Sequence, residues 1–255
     1  MKFNNKPLMF FLWIVFIFPV LFLCMLGFSE AWRFPAVIPE QFSGRQAQAF
    51  VNGTGGIVNS FFLSLIISFV VAITAVSLAF FVSKRIAFHP DKQRYIFFAY
   101  LPFVFSPVIY AASLNYYFVW AGLSGTAAGV MIAQFIIVFP YNVILFLSHW
   151  NLQMQSYEQL ALTLGAKPSQ VFKKVIIPLS KNILLVAFFQ SFIISWFEFG
   201  LTNFIGIGQV QTLTVKVFQY IGEANVHLAA FSSLLLVVPP LILLWLNKRF
   251  VFHEY

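Results

Sequence analysis

Glu198 stands inside one of six long apolar stretches of this 255-residue chain, and it is the only acidic or basic side chain within any of them. An ionisable group in such a setting is by default a functional candidate. It could line a pathway and attract a cationic or zwitterionic solute, carry a proton, or be a structural carboxylate bonded between helices. The sequence leaves these readings open. Gln190, Asn203 and Asn115 are further candidates for a polar pathway, with Gln134 and Asn142 beside them; the alternative for each is hydrogen-bonding glue between helices. A different chemistry is suggested by Gly122-Leu123-Ser124-Gly125, the Gly-x-Ser-Gly form of an intramembrane serine protease. Such a nucleophile needs a base within hydrogen-bond reach. No histidine lies in the interior of an apolar stretch, and only His227, at the end of one, is placed to approach Ser124. A four-residue match in a glycine-containing turn is weak support.

The elements that carry these groups must be solvated by lipid. The chain is 61% hydrophobic and 9% charged, against about 45–50% and about 25% for soluble domains. Its net charge of +8 is not a nucleic-acid footprint, because the basic residues sit in short gaps between apolar stretches rather than on a solvated face. Cys24 is the only cysteine, which rules out an intrachain disulfide or a thiolate metal cluster. It is read as a small buried hydrophobe.

Six stretches reach the roughly 20 apolar residues that span a bilayer core: Leu8–Phe28, Ile57–Val82, Tyr95–Ala121, Gly125–Leu147, Ile183–Gly206 and His227–Leu246. None alternates with a two-residue period, so the spans are helices and the fold class is all-α, polytopic. The first stretch is longer than the roughly 7–15 residues of a cleaved signal sequence, and no small-residue cleavage site follows it. With the amino terminus inside, the inner segments hold Lys2, Lys6, Lys84, Arg85, Lys92, Arg94, Lys167, Lys173, Lys174, Lys181, Lys248 and Arg249. The outer ones hold only Arg33, Arg45 and Lys216. That asymmetry places both termini in the cytoplasm. Pro102 and Pro107 within one span predict a bent element, beside a pathway or simply kinked by packing. The two halves do not echo one another, which argues against an inverted-repeat secondary transporter.

The longest inner gap, His149–Asn182, is the most specific part of the chain. Ser156 with Gln159 three residues on has the form of a capping box that starts a helix at Tyr157. Gly165 suits the left-handed position just past its end. Pro168 suits the first turn of a second helix running toward Ile177, where Pro178 is expected to stop it. On the first helix Glu158, Ala161 and Gly165 share a face. The small residues there would let another protein approach closely, and Leu160 and Leu164 form an adjacent apolar ridge. Such a helix seeks a partner groove, or else folds back on its own bundle or lies on lipid headgroups.

The stretch Glu158-Gln159-Leu160-Ala161-Leu162-Thr163-Leu164-Gly165-Ala166, followed by Phe172 and Ile177-Pro178-Leu179, resembles the "EAA" loop of type I binding-protein-dependent ABC importer permeases, the MetI-like family. The match is at Ala161, Gly165, Ala166, Phe172 and Pro178. Gln159 and Leu160 replace the usual Glu and Ala, and Asn182 stands where a second proline is common. The resemblance runs from Ile57 onward. It implies a permease core over 57–255, preceded by a first helix and outer loop over 1–56, in a bacterial inner membrane.

It also implies that the loop helix couples to a cytoplasmic ATP-binding subunit, through Glu158, Gln159, Leu160, Ala161, Leu164, Gly165, Ala166, Phe172 and Pro178. The implied assembly holds an ATPase dimer, a second permease subunit, identical or paralogous, and an external solute-binding protein. The chain lacks a phosphate-cradling Gly-x-x-x-x-Gly-Lys-Ser/Thr loop. ATP and magnesium are thus expected on the partner, with no cofactor or metal on this chain and no enzymatic activity of its own. Trp196-Phe197-Glu198 through Asn203 and the loop ending Gln211-Thr212-Leu213 resemble a branch that transports polyamines, thiamine, ferric iron and phosphonates. In the outer loop after the fifth span, Gly206 and Gly208 predict a sharp turn and Thr212–Ile221 a short amphipathic helix. In related permeases this region meets the binding protein. Trp32, Phe34 and Pro35 of the first outer loop share that expected surface, or anchor the interface.

Overall fold

The computed structural model describes residues 6–32, 38–53 and 56–251. Arg33, Phe34, Pro35 and Lys2 lie outside the described residues. In chain order the elements are α1 (Lys6–Gly27), β1 (Ser29–Ala31), β2 (Gln41–Phe42), α2 (Arg45–Val51), α3 (Ile57–Ala87), α4 (Lys92–Val104), α5 (Pro107–Trp120), α6 (Ala127–Leu147), α7 (Leu152–Thr163), α8 (Pro168–Val171), a π-turn (Phe172–Ile176), α9 (Ile177–Trp196), α10 (Gly200–Gly206), α11 (Leu213–Gly222) and α12 (Val226–Val251). The expected all-α class holds, with one two-stranded antiparallel hairpin that pairs Ser29 with Phe42 and Ala31 with Gln41.

Among the described residues four helical runs are long and apolar enough to cross a membrane: α3, α6, Pro168–Trp196 and Val226–Asn247. Within α1, Trp13–Gly27 is a shorter apolar stretch. The expected third crossing is not one helix, because α4 and α5 meet at 100°. The cause is local. Pro107 disfavours helical backbone at the residue before it, and Ser106 accordingly sits at φ −59°, ψ 136°. Phe105 is extended as well, at φ −98°, ψ 145°, so two consecutive extended residues turn the chain.

The expected fifth crossing also differs at both ends. Its helix begins at Pro168 and passes through Pro178 without stopping. The π-turn makes this feasible. Ile177 N–H donates to the Phe172 carbonyl five residues back, and the widened spiral relieves the clash that the Pro178 ring would have with the carbonyl one turn earlier. At the other end the helix stops at Trp196 rather than running to Gly206.

The chain forms two compact units. The first comprises Met1–Ser64 and Gln211–Leu241. In it the Phe231 ring meets Phe28 and Phe50 edge-on, each at 6.1 Å. Gly27 allows α1 to approach α12 closely, since a Cβ there would lie 3.0 Å from Leu234 and 3.2 Å from the Phe231 backbone. Ser64 Oγ accepts from Leu213 N–H at 2.7 Å, joining α3 to the start of α11. The second unit comprises Leu65–Val210 and Ile242–Tyr255. Its core gathers Phe80, Phe146, Trp150, Met154, Val171, Ile176 and Ala187. This cluster seats the loop between α6 and α9.

Candidate functional site

Helix α7 starts earlier than its sequence suggests. Asn151 is its N-cap, with a side-chain oxygen accepting from Met154 N–H at 2.9 Å. Ser156 lies inside the helix, and its hydroxyl donates back to the Leu152 carbonyl at 2.9 Å. Asn is at least as good a cap as Ser, and starting at Asn151 lets Met154 reach the core. The helix ends as expected at Gly165, whose φ is +84°. Ala166 N–H donates to the Ala161 carbonyl and Gly165 N–H to that of Leu162, which together make a Schellman motif. A Cβ on Gly165 would meet nothing within 4 Å, so the position requires glycine for its backbone conformation, not for close packing. Pro168 then opens α8 at its first position, and the Gln170 side chain accepts from Lys167 N–H at 2.9 Å.

The faces of α7 are thereby assigned. Met154 is buried, and Ala161 and Ala166 pack on the core of their own chain. Phe172 joins them and stacks on Phe81 at 5.4 Å. Glu158 is held by Lys84 of α3 at 2.6 Å. Gln159 and Pro178 are exposed. The outward ridge is apolar: Leu160 is 59% exposed and Leu164 80%. Ala161 therefore turns inward, and Leu160 and Leu164 face outward together with Gln159.

Three residues that the sequence did not single out hold α7 in place. Trp150, just before the cap, is buried against Phe80 at 4.8 Å and donates from Nε1 to Ser83 Oγ at 2.8 Å. Lys84 also lies 5.7 Å from the centroid of the Trp150 ring. His149 meets Ser180 of α9 through Nε2 at 2.7 Å, and burial pushes its imidazole pKa below the usual value. The basic end of α3 was visible in the sequence, but its juxtaposition with Glu158 spans 74 positions.

The pathway candidates fall into several settings. Glu198 lies in the break between α9 and α10, where its carboxylate accepts from Leu201 N–H at 2.7 Å and from Thr202 N–H and hydroxyl, each at 2.9 Å. A carboxylate at a helix N-terminus satisfies amide donors that have no intrahelical acceptor. Thr202 Oγ1 also accepts from Gln134 at 2.9 Å, and the Gln134 carbonyl oxygen accepts from Ser195. Glu198, Gln134, Ser195 and Leu201 border a cavity of about 100 Å³. Gln190 accepts from the Tyr141 hydroxyl at 2.6 Å. Asn142 donates to Ser191 at 2.7 Å. Asn203 is exposed on α10.

Asn115 accepts from the Ser124 hydroxyl at 2.9 Å. The hydrogen-bond partners of Ser124 are thus an amide and, at 3.4 Å, the Ile205 carbonyl, while His227 is engaged by Ser29 at 2.8 Å. Among the described residues, neither hydrogen-bond partner of Ser124 is a base.

Beyond α10 the turn is made by Ile207 and Gly208, at φ +39° and +76°. Gly206 remains inside α10, where a Cβ would lie 3.1 Å from that of Val210. The expected amphipathic helix is α11, with Thr212 as its N-cap and Leu213, Val215, Val217 and Tyr220 buried. Trp32 packs edge-on against Phe22 at 6.4 Å.

Several apolar helices of membrane-spanning length, with a capped helix between two of them, define a polytopic membrane protein. Residues 94–251 match the family described as binding-protein-dependent transport system inner membrane component, and the chain belongs to that family. Curated relatives include the molybdenum transport system permease proteins ModB of Mycobacterium bovis and Mycobacterium tuberculosis. Each is 32% identical over 164 residues, covering 58% of this chain and 62% of the relative. The ModB protein of Haemophilus influenzae is 30% identical over 172 residues, covering 59% and 75%. The match thus spans less than two thirds of the mycobacterial proteins. A crystal structure of a bacterial ABC transporter involved in import of the acidic polysaccharide alginate shares the fold, with a TM-score of 0.72 at 14% identity, over 96% of this chain and 94% of that one. The ModB relatives carry molybdenum transport in their names, whereas the sequence resemblance pointed to a polyamine, thiamine, ferric iron and phosphonate branch.

Proposed function

We propose that this chain is the membrane-spanning permease subunit of an ATP-driven importer for a small tetrahedral oxyanion of the molybdate type. One observation carries the mechanical part. Helix α7 presents Leu160 and Leu164 outward, 59% and 80% exposed, while its opposite face is bonded to the chain's own core. A helix fixed on one side, with an exposed leucine ridge on the other, suits insertion into a groove of a partner protein.

In this reading the partner is a cytoplasmic ATPase that binds ATP and magnesium, and both termini of the permease are cytoplasmic. Closure of the ATPase pair on nucleotide displaces α7. The run from Pro168 to Trp196 then carries the displacement into the membrane, and the pathway formed with a second permease subunit alternates its access. A solute-binding protein delivers the anion from the other side. The substrate class rests on the ModB relatives.

The test is purification of the assembly from native membranes, followed by reconstitution in vesicles. ATP-dependent accumulation of molybdate, lost with Leu160→Glu/Leu164→Glu, supports the proposal. Accumulation driven by an ion gradient without any ATPase sinks it.

A further inference from the structure

We infer that Lys84 is a positioning residue that locks α7 to α3, so that a displacement of the Leu160–Leu164 ridge moves α3 as well as α9. The inference rests on the permease reading above and concerns how α7 is held, not what it touches outside the chain.

Two independent attachments join α7 to the end of α3. At the start of α7, Trp150 donates to Ser83 at 2.8 Å and packs on Phe80 at 4.8 Å. Two turns further on, Glu158 is paired with Lys84 at 2.6 Å. Ser83 and Lys84 are consecutive, and the Lys84 ammonium lies 5.7 Å from the Trp150 ring centroid, so one short stretch of α3 grips the start and the middle of this face. Met154 and Ala161 fill the same face, three or four positions from Glu158, and rest on the core.

A helix held at one point can pivot about it; one held at two points must carry its support along. The ion pair is only about a quarter to a third exposed, with side-chain exposures of 31% and 26%. Each charge is therefore partly desolvated and depends on its partner. Without the pair, α7 stays attached at Trp150, through Met154 and Ala161 on the core, and through α8 to α9, but it loses its charged link to α3. Glu158 is thus committed within the chain, and the outward contact is left to the leucines.

The experiment uses the full importer, purified with its ATPase and reconstituted in vesicles, with molybdate as the probe. Three quantities are measured: ATPase co-purification, ATP hydrolysis, and anion accumulated per ATP hydrolysed. With Lys84→Met or Glu158→Gln, co-purification and hydrolysis are expected to remain near wild type while accumulation per ATP falls several-fold. Lys84→Glu/Glu158→Lys should restore most of the loss, and Lys84→Arg should behave as wild type.

A merely structural role would lower assembly and leave the ratio of accumulation to hydrolysis unchanged, which overturns the inference. A swapped pair that assembles but stays uncoupled overturns it too, as does loss of ATPase binding in Glu158→Gln alone, because Glu158 would then face the partner. A wild-type chain that recovers no ATPase refutes the permease reading itself, a result distinct from all of these.

Discussion

Thr202 is bonded twice to Glu198: its main-chain N–H and its hydroxyl both donate to one carboxylate oxygen, each at 2.9 Å. The other oxygen takes the Leu201 N–H at 2.7 Å. One side chain therefore holds the first turn of α10 and, through Thr202 and Gln134, a line of hydrogen bonds that reaches Ser195 on α9.

Replacing Glu198 with Ala removes three acceptor contacts at once. The exposed amides and the remaining members of the line lose their partners in a setting with little water. We expect a loss of about 1–3 kcal/mol, read as a lower thermal midpoint of the detergent-solubilised protein. Gln134→Leu should show a smaller loss of the same kind, and the double variant should fall short of the sum because the two residues share Thr202. Strict additivity would mean that the line is not connected.

Gly165 separates a conformational demand from a steric one. Its φ of +84° disfavours any side chain, yet a Cβ would meet open space. Gly165→Ala should cost about 1–2 kcal/mol of local stability, Gly165→Asn clearly less because Asn tolerates the left-handed region, and Gly165→Val the most. Hydrogen exchange over residues 160–168 reads the order. Equal effects of Asn and Val would contradict it.

Leu160 and Leu164 are exposed enough that their substitution by Glu should leave the thermal midpoint of the isolated chain nearly unchanged, within about 0.5 kcal/mol. Association with the ATPase, measured by co-purification, should be lost. A change in stability comparable to that of Glu198→Ala would place the leucines in the chain's own packing instead.

His149 gives a pH dependence of defined sign. Burial lowers its pKa, so the neutral imidazole is favoured in the fold. Its contribution to stability is complete above the unfolded pKa of about 6.5 and is lost as the pH falls through the lower folded value. The thermal midpoint should therefore drop more steeply as the pH falls below about 6.5 in the wild type than in His149→Gln. Parallel curves would show that another group titrates.

The turn chemistry of the α7 region was largely legible. Gly165 and Pro168 declared themselves because left-handed backbone and a first helical turn are demands made by a few neighbouring residues. The start of α7 was not legible, because Asn151 and Ser156 are both good caps. The choice between them was made by Trp150 and Met154, which need a core to bury themselves in. Pro178 misled for a related reason: a proline stops a regular helix, but not one widened by a π-turn just before it. The lone carboxylate of Glu198 identified itself as unusual. Its role as the cap of α10 required knowing that the helix breaks at Phe197, two residues after a hydrogen bond to Gln134.

Composition and the lengths of the apolar stretches were sufficient by themselves for membrane residence and helical class, because the cost of exposing peptide groups to lipid acts on every residue alike. The loop motif added the family. Which side of α7 faces inward, that Lys84 reaches Glu158, and that α4 and α5 meet at an angle were decided only in three dimensions. Those outcomes depend on pairs of groups brought together from distant parts of the chain, and a hydrogen bond or ion pair has no strength until both partners are within reach.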